Sequence, residues 1–231
     1  MIRTTKWSTG LGGLLTACGV ALALGVASPA RATAILTVSD GTSTWKQTSN
    51  GTAPIMLMAS NGAWSVMATG YTPPLVGSAS QPYLDLSASG AFAGNLTITL
   101  SDSGFIGTGS QDFLTNTGGT FCDDPPFCGG SGGSLSVTSG TTLGKLSTLG
   151  PYSSNPFSGS AVVAQDLGTS GSYGLSIAAN IVNGGSSNWS FDANVEQVPE
   201  PGTLALFAAG AFATVLFMRR RRTAARRSAA I

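Results

Sequence analysis

A chain without histidine must do any proton or metal chemistry with carboxylates, thiols and amines. The 231 residues here include no His, 3 Cys and 10 Asp+Glu. That excludes a Ser-His-Asp or Cys-His nucleophile, a His-ligated metal and an imidazole pH switch. The tightest constellation is Cys122-Asp123-Asp124-Pro125-Pro126-Phe127-Cys128. In an oxidising compartment, two thiols this close are expected to form a disulfide. Closing so short a loop stabilises by about 2 kcal/mol on the chain-entropy account, less where two prolines already restrict it. Two other uses stay open. Both thiolates with Asp123 and Asp124 could hold a metal, or the Asp pair with backbone carbonyls could hold Ca²⁺. The spacing does not match an EF-hand loop, so the expectation is a solvated loop and no cofactor.

The remaining acids are dispersed. Paired-carboxylate catalysis, as in glycoside hydrolysis, needs an acid and a base fixed across a cleft. Residues 33–197 hold a single Glu, Glu196. Asp85, Asp102 and Asp192 are expected on polar strand faces or at strand ends, and no spacing pairs them. Asp102-Ser103-Gly104 and Asp166 read as turns. The expectation is a protein that is not an enzyme. Trp45, Trp64 and Trp189 could form a sugar-stacking platform, but strand patterning favours core or half-buried positions. Asn50, Asn95 and Asn188 head sequon matches that arise by chance in so Ser/Thr-rich a chain.

The elements that would position these residues read as strands. Leu96, Ile98 and Leu100 alternate with Thr97, Thr99 and Ser101, which is period two. Trp189, Phe191, Ala193 and Val195 alternate with polar residues, as do Leu175, Ile177, Ala179 and Ile181. Leu84 and Leu86 flank Asp85, and Trp64, Val66 and Ala68 follow an Asn61-Gly62 turn signal. No segment of 33–197 shows a capped helical stripe. Eight to ten short strands separated by Gly/Ser/Asn/Pro clusters predict an all-β, antiparallel β-sandwich, jelly-roll or Ig-like. Pattern alone does not separate sandwich from barrel.

The ends are of a different kind. Arg3 and Lys6 precede an uncharged run, Leu11 to Ala27, and Ala30-Arg31-Ala32 supplies small residues at both cleavage positions. Residues 1–32 therefore read as a signal peptide, with the mature chain starting at Thr33. Leu15-Thr16-Ala17-Cys18 resembles a lipobox, but the apolar run continues past Cys18, which favours an ordinary signal. At the other end, Val198-Pro199-Glu200-Pro201 opens a linker over 198–203. An apolar segment, 204–218, follows and is predicted to be one transmembrane helix. Arg219, Arg220, Arg221 and Arg222 open a basic tail, 219–231, that stays cytoplasmic by the positive-inside rule. Pro199 and Pro201 lack amide donors and hold the juxtamembrane segment extended.

Pro-Glu-Pro, an apolar span and an Arg cluster, in that order at the C-terminus, resemble the PEP-CTERM sorting signal. The resemblance covers Val198 to Ile231 and implies recognition by an exosortase, a membrane processing enzyme of Gram-negative bacteria. It also implies cleavage near Pro199-Glu200-Pro201 and transfer to the cell envelope or exterior. No Leu-Pro-x-Thr-Gly sortase motif is present, and a GPI signal would end in its apolar tail. The expected role is a non-enzymatic envelope or matrix protein associated with exopolysaccharide or biofilm. The alternative is a carbohydrate-binding module, with or without Ca²⁺; an envelope glycoside hydrolase is the third.

Charge accounting fits this division. The whole chain is formally +1, yet residues 33–197 carry only Lys46 and Lys145 against nine acids, a net charge of −7. Every arginine lies in a terminal segment. An acidic ectodomain excludes nucleic acid as a partner, and association with acidic polysaccharide would require bridging cations or neutral sugar contacts.

Overall fold

The computed structural model describes residues 33–198, except 51, 63, 92–93, 121–132, 154–155, 170 and 184–187. These residues form twelve strands and, among the described residues, no helix. The strands are β1 (Ala34–Ser39), β2 (Thr44–Ser49), β3 (Ile55–Ser60), β4 (Ser65–Tyr71), β5 (Tyr83–Ala91) and β6 (Gly94–Ile106). They continue as β7 (Ser110–Thr120), β8 (Ser134–Thr141), β9 (Gly144–Tyr152), β10 (Phe157–Asp166), β11 (Ser172–Asn183) and β12 (Asn188–Val198). The number exceeds the expected eight to ten. The signal peptide, the disulfide loop and the predicted transmembrane helix lie outside the described residues.

Two six-stranded antiparallel sheets pack face to face. Sheet A has the order β2-β1-β6-β11-β8-β9, and sheet B has β10-β7-β12-β5-β4-β3. The last eight strands are nested: β5 pairs β12, β6 pairs β11, β7 pairs β10 and β8 pairs β9. This first-with-last pairing is the winding of a jelly roll. The β1-β2 and β3-β4 hairpins widen sheets A and B respectively.

Alternation puts one side of most strands inside, β2 contributing only the half-buried Trp45. Leu96, Ile98 and Leu100 of β6 face Leu175, Ile177, Ala179 and Ile181 of β11 across their ladder, all at most 2% exposed. From sheet B, Leu84, Leu86, Trp189, Phe191, Ala193 and Val195 complete the core. Each large side chain so buried contributes about 1.5–3 kcal/mol. Two aromatic pairs close the flanks. Trp45 of β2 meets Trp64 edge-on at 5.1 Å, and Tyr152 of β9 stacks on Phe157 of β10 at 5.1 Å.

Towards the β7-β8-β9 side the core turns polar and small. The hydroxyls of Thr115 and Ser139 are 2.7 Å apart, and Ser139 reaches Ser147 at 2.9 Å. Thr115 belongs to sheet B and both serines to sheet A, so hydroxyls bridge the sheets where elsewhere methyl groups do. Gly119 permits a close approach on the same side. A Cβ there would stand 2.3 Å from the Ser190 carbonyl and 2.8 Å from the Phe191 Cα.

Asp102 departs from expectation. It occupies neither a polar face nor a turn. β6 runs through it to Ile106, and its side chain continues the inward series of Leu96, Ile98 and Leu100 at 3% exposure. Gly104, at φ 90°, absorbs an extra residue where the register with β11 shifts, so Asp-Ser-Gly forms a bulge instead of ending the strand.

Candidate functional site

The sorting segment leaves the domain from the middle of a sheet. β12 lies between β5 and β7, and its last residue, Val198, pairs with Asp112. Gln197 is held three ways. Its amide donates to the Pro82 carbonyl at 3.1 Å, its Nε2 donates to Gln111 Oε1 at 2.6 Å, and its Oε1 accepts the Tyr173 hydroxyl at 3.1 Å. Burial raises the Tyr173 pKa, so that phenol stays a donor. The folded domain thus fixes the chain up to the residue before Val198-Pro199. Pro199, Glu200, Pro201 and the arginines 219–222 lie outside the described residues, as do Ala30, Ala32 and Cys18.

Most strand carboxylates lie on sheet B, Asp102 of β6 in sheet A being the exception. Asp85, Asp112, Asp166, Asp192 and Glu196 all lie on strands of sheet B, whereas Lys46 and Lys145 lie on β2 and β9 of sheet A. Asp192 sits in β12 beside Ser87 of β5, whose hydroxyl donates to its Oδ1. Asn194, next on the same face, pairs with Asp85 and accepts from the Asn116 amide at 3.0 Å. Asp85 and Asp192 are therefore diagonal neighbours, at a spacing of about 7–8 Å for such positions. Partial burial and then the Asp192 charge raise the Asp85 pKa. Burial, Asp85 and Glu196 raise that of Tyr83.

The strand register thus brings together two carboxylates that linear spacing left apart. Among the described residues, the space beside this pair is small. The depression beside Asp192, lined also by Met67, Thr69, Ser87 and Ser190, is about 200 Å³. A site that engulfs a small ligand needs about 300–1,000 Å³. A second depression, about 290 Å³, lies over the bulge on sheet A and is lined by Asp102 with Thr33, Ser101, Ser103, Thr142 and Ser176. No group of three or more Cys, Asp or Glu placed to hold a metal occurs among the described residues. Asp123 and Asp124, the Ca²⁺ candidates, fall outside them with Cys122 and Cys128.

Other predicted residues find plain structural work. Asp166 caps its turn by accepting the Gly168 amide at 2.8 Å, as expected. Asp40 accepts from the Ser43 and Thr42 amides and the Thr42 hydroxyl, which lowers its pKa. Trp64 and Trp189 are buried and Trp45 is half-buried against the core, so these three indoles present no stacking platform. Sequence reasoning passed over Met56, Met58 and Met67, which are 61%, 78% and 44% exposed. The signal was present in Ile55-Met56-Leu57-Met58, where a period-two reading with Ile and Leu inside puts both methionines out.

No curated protein matches the chain. The family model of the PEP-CTERM protein-sorting motif matches residues 197–222. That match begins at the clamped Gln197, runs through Pro-Glu-Pro and the apolar segment, and ends on Arg222. The chain thereby carries a PEP-CTERM protein-sorting motif towards its C-terminus, beginning in the last two residues of β12, and is consistent with a PEP-CTERM protein.

Proposed function

We propose that this is a non-enzymatic envelope or matrix protein, exported through its signal peptide, held in the inner membrane by residues 204–218, and processed by an exosortase. Its final setting is the cell envelope or exterior, in association with exopolysaccharide or biofilm. The observation that carries the reading is the motif match at 197–222 joined without a spacer to a central strand. Cleavage near Pro199-Glu200-Pro201 falls just beyond β12 and leaves all twelve described strands on one side of the cut, apart from the basic tail. The hydroxyl-rich sheet faces suit a setting among polysaccharide hydroxyls.

Intact-mass analysis and fractionation of the native protein test this. The expected mature form starts near Thr33, lacks Arg219 to Arg227 and leaves the inner membrane. A stable inner-membrane form that keeps those arginines refutes processing.

The runner-up, a carbohydrate-binding module, must rely on neutral hydroxyl contacts, since the described tryptophans face inward. Pull-down on the producer's own polysaccharide discriminates: enrichment of the domain supports binding, and its absence removes that reading. The Asp85-Asp192 diagonal keeps a specific test for hydrolysis. Polysaccharide cleavage abolished by Asp85→Asn would overturn the non-enzymatic assignment.

A further inference from the structure

The outer face of sheet B carries an unexplained group of soft ligands. Met58 of β3 pairs directly with Met67 of β4, and Met56 pairs with Thr69 one step along the same face. Directly paired Cβ atoms lie about 4.5–5.5 Å apart and diagonal ones about 7–8 Å, within reach of long side chains. Each thioether hangs on three rotatable bonds, so three sulfurs can converge above one point. Core packing does not account for them. Their inward neighbours Ile55, Leu57, Val66 and Ala68 fill the interior, while the methionines stand over small polar residues of β4 and β5 such as Thr69, Ser87 and Ser89.

The surroundings favour a cation. Met67 and Asp192 line the same depression of about 200 Å³. Asp85, Asp192 and Glu196 share this sheet face, and both lysines of the domain belong to the other sheet. Thioether sulfur is neutral, does not compete for protons and selects soft d¹⁰ ions over Ca²⁺, Mg²⁺ or Na⁺. A monovalent soft ion suits the site because no thiolate is present to balance a higher charge.

We propose that Met56, Met58 and Met67 form a thioether site for a soft monovalent cation of the Cu(I) class, with Asp192 supplying favourable charge beside it. This proposal is independent of the sorting reading and goes beyond it. The test uses the full chain in mild detergent, its thiols blocked by alkylation, labelled with [methyl-¹³C]methionine and titrated with Ag(I), the redox-inert analogue of Cu(I). The chain holds five methionines, so Met1 and Met218 act as internal controls. The expected result is that the methyl signals of Met56, Met58 and Met67 shift together and saturate at one equivalent while the controls stay. Met58→Leu and Met67→Leu, both on exposed positions, should each weaken Ag(I) binding by roughly tenfold or more. Shifts no larger than those of Met1 and Met218, three independent saturations, or unchanged binding by the triple Leu variant would each overturn the proposal.

Discussion

Asp102→Asn is a direct test of the reasoning about the interior. Asp102 is 3% exposed and packs on the core side of β6. Its Oδ1 accepts the Ser103 amide at 2.7 Å, and its Oδ2 has no hydrogen-bond partner. Burial raises its pKa, with smaller opposing pulls from the Ser103 amide and the Thr72 hydroxyl. The folded state therefore holds this proton more tightly than the unfolded chain, whose Asp titrates near about 3.9. Stability from this group is complete below that pH and declines as pH rises through the folded value. The slope is at most about 1.4 kcal/mol per pH unit. Asn cannot ionise, so the variant lacks the decline. Near pH 3 the two proteins should agree within about 1 kcal/mol, since each leaves one buried polar atom unmatched. The variant should then gain on the wild type from about pH 4 upward, and the difference should level off once the folded carboxyl has ionised. Urea unfolding of the full chain in mild detergent, followed by fluorescence of the core tryptophans, measures this at each pH. Asp85 also titrates high, but it is common to both proteins and cancels. A difference that is flat between pH 4 and 7, or that favours the wild type as pH rises, refutes a desolvated carboxyl at this position.

Other outcomes follow from the same contacts. Gly119→Ala forces a Cβ to 2.3 Å from the Ser190 carbonyl and should cost about 3 kcal/mol. Gly118→Ala meets nothing closer than 3.5 Å and should leave the melting temperature nearly unchanged. A double-mutant cycle on Thr115→Val and Ser139→Ala should give a coupling of about 1 kcal/mol, and additivity would deny the inter-sheet hydroxyl bridge. Trp64→Ala should cost about 3–5 kcal/mol, part of it from the lost edge contact with Trp45. The exported protein, denatured without reductant, should show no free thiol from Cys122 and Cys128; two free thiols would deny the disulfide.

Local alternation was readable wherever the inward residues are large. Leu96-Ile98-Leu100 and Trp189-Phe191-Ala193-Val195 announced their faces because Thr, Ser and Asn separate them. β7, β8 and β9 did not, because Thr115, Thr117, Ser139 and Ser147 point inward and look like surface. β3 failed for the opposite reason: Ile55-Met56-Leu57-Met58 is apolar on both faces, which hides the exposed methionines. Asp102 was misread because Asp-Ser-Gly is turn chemistry, and only Gly104 at φ 90° inside a paired strand turns it into a bulge. The Asp85-Asp192 diagonal and the nested winding depend on register between distant strands, which no short window encodes. The sorting motif was fully legible, since it works as an ordered linear segment and needs no tertiary partner.

The position of β12 has a consequence for folding kinetics. Sheet B cannot close before its C-terminal strand arrives, because β12 fills the slot between β5 and β7. The hydrogen bond from Ser87 to Asp192 spans 105 residues of sequence. Such pairings carry high contact order and fold slowly, since loop closure precedes the gain from contact. During export, the β5 and β7 edges stay unpaired until nearly the whole ectodomain has crossed. Attaching the processing motif immediately after this last strand makes its display coincide with completion of the sheet. A chain truncated before β12 should therefore aggregate or be degraded along those open edges.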